Sequence, residues 1–115
     1  MAKVTHHEMQ IQKIKAHPHL VDICGVALSA TEVNLYDLDG RLLCQPDVMF
    51  ITHDAKMHLV EYQATNKHMR RAIQQLHTAD DTLMRYHMSL MMGMHNVSSL
   101  RYAYGPRPKY KVIPR

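Results

Sequence analysis

Cysteine and aromatic side chains are what this chain has least of. Two Cys, one Phe and no Trp stand among its 115 residues. Cys24 and Cys44 are too few for a disulfide scaffold and do not fall in a metal-ligand spacing, so a reduced cytoplasmic setting is expected. The shortage of aromatics leaves the core to aliphatic and thioether side chains, for which ten Met are available. Long apolar runs are also missing. The two best, Leu20 to Ala30 and Met88 to Met94, are too short to span a bilayer, and no membrane partner is expected. Met1 to Glu8 lacks the apolar core of a secretory signal. No internal repeat is visible.

What is present fits one hydrophobic core, since a chain of this length falls near the usual size of a single domain. A net charge of +4 at pH 7 favours polyanions over acidic partners. Met9, Ile11 and Ile14 set a helical spacing over Glu8 to Ala16, and Pro18 makes continuation through His17 unfavourable. Leu20 to Ala30 reads either as a buried strand or as a helical turn. Asp37-Leu38-Asp39-Gly40 is a hairpin turn between runs at Glu32 to Tyr36 and Arg41 to Cys44. A second hairpin link, Thr52 to Lys56, separates two further strands. From Asn66 to about Met92 the period becomes helical through Met69, Ala72, Ile73, Leu76, Ala79, Leu83, Tyr86 and Leu90, with Thr65 or Asn66 as cap and Gly93 as exit. Ser99 to Tyr104 reads as a last strand. The domain is then residues 1–104, and residues 105–115, basic and rich in Pro, read as an extended C-terminal tail.

The chemistry sits on the two middle strands. Asp47 opens the run Val48-Met49-Phe50-Ile51, and Glu61 closes the run that begins at His58, with Gln63 two residues on. Alternation points Glu61 and Gln63 to one face and Tyr62 to the other. If the two strands pair, Asp47 and Glu61 converge on one hard divalent cation, for which carboxylate oxygens are preferred ligands. Helix positions Lys67, Arg70, Arg71 and Gln74 form a polar strip suited to phosphates. Arg101, Arg107, Lys109, Lys111 and Arg115, with Tyr102, Tyr104 and Tyr110 between them, suit a nucleic-acid backbone with stacking help.

Pro46-Asp47, a strand, Glu61-X-Gln63 and the following helix with Gln74-Gln75-Leu76 resemble the PD-(D/E)XK nuclease superfamily. That group includes archaeal Holliday-junction resolvases, many restriction endonucleases and RecB-like nuclease domains. The match runs roughly from Val33 to Tyr104. It implies a single α/β domain of restriction-endonuclease-like fold, with a central mixed sheet flanked by helices. It implies phosphodiester hydrolysis in DNA with Mg²⁺ or Mn²⁺ held by Asp47, Glu61 and the main-chain carbonyl of Tyr62. Glu8 lies where resolvase-like relatives place an additional acid. Gln63 stands where the family carries Lys; it can hydrogen-bond a water or phosphate but brings no charge.

Each signal also has a plain structural reading. Asp47 can simply open a strand, Glu61 can face solvent, and Lys67, Arg70 and Arg71 can be a solvated helix face. His6, His7, His17 and His19 read as surface residues rather than a transition-metal site. The competing functional readings are a catalytically inactive nucleic-acid-binding module, favoured by Gln63, and a homodimer joined through Met88, Met91, Met92 and Met94.

Overall fold

A computed structural model describes residues 5–87 and 97–115. The first helix, α1 (His6–Ala16), opens on a reciprocal cap. Thr5 Oγ1 accepts from Glu8 N at 3.1 Å, and Glu8 Oε2 accepts from Thr5 N at 3.1 Å. The helix ends at His17, ahead of Pro18, and buries Ile11 and Ile14. The apolar run that follows splits, as a single 3₁₀ turn over Pro18–Val21 gives way, past left-handed Asp22 and Gly25, to β1 (Val26–Thr31).

The short strands β2 (Leu35–Tyr36) and β3 (Leu42–Cys44) form the expected hairpin. Its turn is held by Asp37 Oδ1, which accepts from Asp39 N and Arg41 N, both at 2.9 Å, while Gly40 takes φ +80°. Then β4 (Val48–Thr52) and β5 (Met57–Gln63) pair antiparallel through the Thr52–Lys56 link. A capped turn at Asn66–His68 leads into α2 (Met69–Thr82), which continues as a π turn over Leu83–His87. Thr65 supplies the cap, its Oγ1 accepting from Lys67 N. The last strands are β6 (Val97–Tyr104) and β7 (Lys109–Ile113). Leu90, the Met88 to Met94 cluster and the Gly93 exit lie outside the described residues.

The result is a mixed α/β architecture with a five-stranded sheet in the order β1-β4-β5-β6-β7. Neighbours are antiparallel except β5 and β6, which run parallel and are joined across α2. Strand alternation divides the core in two. Met49, Leu59, Leu100, Tyr102 and Ile113 pack with Ala72, Leu76 and Ala79 of α2 and with Leu83 of the π turn. Val48, Phe50, Val60, Tyr62 and Ala103 pack with Ile11 and Ile14 of α1. Because β5 is covered on both faces, its sequence reads as a nearly continuous apolar run. Glu61 is therefore an acid placed in an interior strand.

One expectation fails here. Residues 105–115 are not an extended tail. The chain reverses at Gly105, φ +89°, and β7 pairs with β6 from Tyr104↔Lys109 to Leu100↔Ile113. Pro106 and Pro108 sit in the turn, where they cost no ladder hydrogen bond. Lys109, Lys111 and Ile113 share one face by alternation, and Ile113 is buried against the α2 core. Charge on the exposed positions suits an edge strand, which it guards against unwanted pairing. Arg115 is bound bidentately to Asp80 of α2 at 2.9 and 3.1 Å, so its charge is committed within the fold.

Candidate functional site

The β4–β5 ladder stops at Val48↔Val60. One step further the antiparallel register sets Asp47 opposite Glu61, on the α2 face of the sheet. Here the side chains take over from the ladder. Asp47 N donates to Glu61 Oε1 at 3.0 Å, and Tyr62 N donates to Asp47 Oδ2 at 2.8 Å. Each carboxylate is thus held by a backbone donor of the other's strand, which fixes both before any ligand arrives. His7, in the first turn of α1, brings Nε2 to 3.3 Å from Asp47 Oδ1.

Both acids are buried, Asp47 at 9% exposure and Glu61 at 3%. Burial, and after it the neighbouring charge of Asp47, push the Glu61 carboxyl up to about 9. Two like charges pressed together away from water resist ionising together, so near pH 7 Glu61 keeps its proton. A bound cation would displace that proton, and its affinity would therefore rise with pH.

The acids open onto a cleft of about 350 Å³. Gln63 lines it from β5, on the same face as Glu61, as alternation requires. His68, Arg71 and Gln75 line it from the start of α2, at the three- and four-residue spacing that stacks side chains on one helix face. Gln45 closes it from the β3–β4 link, its Nε2 donating to Asn34 Oδ1 at 2.7 Å. Arg71, Gln75 and Gln45 also border an adjoining groove of about 230 Å³ that runs on past Gln74 and Thr78. Arg71 stands where the two grooves meet and forms no ion pair among the described residues.

Asp47, Glu61, Gln63 and Arg71 are thus brought together, with Gln74 in the adjoining groove. Lys67 and Arg70 are exposed and do not line the cleft. Tyr62 sends its side chain to the opposite face, where its hydroxyl donates to Gly105 O at 2.7 Å. Glu8 is not brought to the cleft. Its carboxylate caps α1, and the preceding residue, His7, reaches Asp47 instead. The pattern Thr5-X-X-Glu8 is a capping signature, and it accounts for Glu8 without chemistry. His7, His68 and Gln45 were missed by motif reading, although His68, Arg71 and Gln75 recur at a helical spacing visible in the sequence. Arg101 is also committed: Nη1 donates to Val21 O at 2.9 Å, Nε to Ser99 Oγ at 3.2 Å, and the guanidinium lies 5.6 Å from the Tyr110 ring centre. Arg107 and Lys109 border a different cavity, on the β6–β7 turn.

Among the described residues no three His, Cys, Asp or Glu side chains form a ready ligand set. A cation at the cleft would therefore meet two carboxylates and complete its shell with main-chain carbonyl or water. Such an all-oxygen set suits Mg²⁺ or Mn²⁺ better than a thiophilic metal. No helix among the described residues is long and apolar enough to cross a membrane. Comparison with models of protein families gave no match, and comparison with curated proteins gave none either.

Proposed function

We propose that the chain is a metal-dependent nuclease of the PD-(D/E)XK type, with a restriction-endonuclease-like fold, that hydrolyses phosphodiester bonds in DNA. The observation that carries this reading is the Asp47–Glu61 pair. Two buried acids on adjacent strands are locked by reciprocal backbone hydrogen bonds at the mouth of a polar cleft. Such a pair costs folding energy that packing alone does not require. The succession of α1, three antiparallel strands, α2 and a strand parallel to the third agrees with the resemblance in the sequence.

Asp47 and Glu61, with the main-chain carbonyl of Tyr62, would hold Mg²⁺ or Mn²⁺, whose chemistry when bound is to polarise the phosphate and acidify a water. The chain's own groups do the rest. Gln63 orients water or phosphate through its amide without supplying charge. Arg71 presents a guanidinium to the phosphate and compensates charge that Gln63 leaves unmet. His7 holds Asp47 in place, its Nε2 within hydrogen-bond reach of Oδ1.

The second reading is an inactive nuclease-fold protein: binding of nucleic acid without cleavage draws on Gln63, and assembly with its own kind draws on Met88, Met91, Met92 and Met94, which lie outside the described residues. A cleavage assay on branched, duplex and single-stranded DNA with Mg²⁺ or Mn²⁺ separates the two. Cleavage is expected, and Asp47→Asn should reduce it about 100-fold or more while leaving circular dichroism unchanged. Gln63→Lys should preserve or raise the rate and Gln63→Ala lower it, each by about tenfold. Absence of cleavage by the wild-type and Gln63→Lys proteins in either metal would leave the binding module. Steeply salt-dependent DNA affinity would then support that module.

A further inference from the structure

The β6–β7 turn carries a cavity of about 610 Å³ separate from the carboxylate cleft. Its walls are Lys13 of α1, Tyr104 at the end of β6, Gly105 and Pro106 of the turn, and Arg107 and Lys109. Three cations from the two ends of the chain thus face one space with no carboxylate in its wall. None of them forms an ion pair among the described residues. Like charges gathered in this way repel unless an anion is shared between them, so the cavity is suited to a phosphate.

The fourth functional group is aromatic. Tyr104 stacks on Tyr102, centroids 5.4 Å apart and planes inclined by 17°. Tyr102 is itself fixed, its hydroxyl 3.2 Å from Thr65 O and 3.1 Å from Asn66 Oδ1. Tyr104 is therefore a half-buried ring backed by Tyr102, and Lys111 Nζ, 5.9 Å from its centre, is a cation that a stacking base would displace towards the adjoining phosphate. Its position matters as much as its chemistry. Tyr104 is the ladder partner of Gln63, and Gly105 N donates to Gln63 O at 3.2 Å while Tyr62 donates to Gly105 O. The cavity thus opens at the same end of the sheet as the acids and is tied to the strand that carries Glu61.

We propose that this cavity is a nucleotide subsite, which stacks an unpaired base on Tyr104 and holds the adjoining phosphate among Lys13, Arg107 and Lys109. Its role as a substrate subsite rests on the nuclease reading, whereas its binding chemistry does not. A base inside a duplex has both faces covered by its neighbours and cannot stack on a side chain. The substrate class that fits is therefore DNA with an unpaired strand beside the cut: a single strand, a flap or a branched end.

The test is fluorescence anisotropy in EDTA, so that cleavage plays no part, with a labelled oligothymidylate and a blunt hairpin duplex as probes. The oligothymidylate should bind roughly tenfold more tightly than the duplex, and Tyr104→Ala should lower its affinity by roughly tenfold while Tyr104→Phe retains it. Arg107→Gln and Lys109→Gln should each make the salt dependence shallower by about 0.7 in slope. Should Tyr104→Ala not fold, the Arg107→Gln, Lys109→Gln double variant decides alone, because both side chains are exposed. Equal affinity for duplex and single strand, or unchanged binding by the double variant, would overturn the subsite. Failure of the nuclease reading looks different: no cleavage in either metal, with the oligothymidylate still bound through Tyr104.

Discussion

The two ends of β5 open onto cavities of similar size and opposite electrostatic character. At its start, a cavity of about 390 Å³ is bordered by His53, Asp54, Lys56, His58 and Arg101. Three of the polar groups there have partners: His58 Nδ1 lies 2.6 Å from Ser99 Oγ, Lys56 pairs with Asp54 at 3.6 Å, and Arg101 is spent on Ser99 and Val21. At the other end, two acids are buried against each other. Burial acts on both ends, since it pushes the His58 imidazole down, helped by Arg101, and pushes Glu61 up. At His58 the neutral form that burial favours satisfies the neighbours. At Glu61 burial leaves a charge conflict that a ligand can relieve. The slightly larger of these two cavities is therefore the structural one, and unresolved charge, rather than volume, marks the site.

The sharpest way to break this contrast is to remove the conflict. Glu61 has a folded-state value near 9 against an ordinary 4.5. The folded chain thus keeps a proton that the unfolded chain has lost, and this contribution is full below about pH 4.5 and drains as pH rises towards 9. Glu61→Gln keeps an oxygen to accept from Asp47 N and cannot ionise. Urea unfolding without added divalent ions, followed from pH 5 to 9, should show a decline in wild-type stability that flattens in the variant. At pH 8 the variant should be more stable by about 1–3 kcal/mol. Parallel pH profiles would mean that the two acids do not compete for charge.

At the opposite end the expected effect reverses. Ser99→Ala removes the hydroxyl shared by His58 and Arg101 and leaves both without that partner. Stability should fall by about 1 kcal/mol, while the calorimetric Mg²⁺ or Mn²⁺ affinity proposed for Asp47 and Glu61 stays at the wild-type value. A loss of cation affinity in Ser99→Ala would show the two ends to be coupled along β5.

How far the sequence disclosed this contrast depends on which interactions are local. The capped start of α2, the Asp37–Gly40 hairpin and the alternation in β5 arise from neighbours in the chain, and each was legible. So was the meeting of Asp47 and Glu61, because hairpin register follows from the connecting turn. β7 was not. Its Pro and Lys content argued for a tail, whereas its pairing is decided by a buried contact of Ile113 with α2, more than thirty residues away. His7 was hidden for a related reason, since nothing local in α1 indicates that its first turn abuts the start of β4. At Glu8 one residue type serves both a helix cap and a metal ligand, and the fold shows one carboxylate oxygen engaged in the cap.

The smallest expected effect sharpens the paired end. Ala55, in the Thr52–Lys56 turn, has φ +62°, a left-handed conformation that costs an L-residue about 1–2 kcal/mol. Its N–H donates to Thr52 O at 2.9 Å, so the turn cannot relax without losing that bond. Ala55→Gly removes the steric cost but frees the unfolded chain by about 0.5–1 kcal/mol, which leaves a net stabilisation of about 0.5 kcal/mol. Thermal unfolding should register this as a rise in Tm of about 2–3 °C. The turn lies at the far end of β5 from Glu61, beyond Met57, which is itself about 13 Å from Glu61 at the rise of an extended strand. Cation affinity in Ala55→Gly should therefore match wild type, and a change beyond about twofold would mean that strain in this turn is transmitted to the acids.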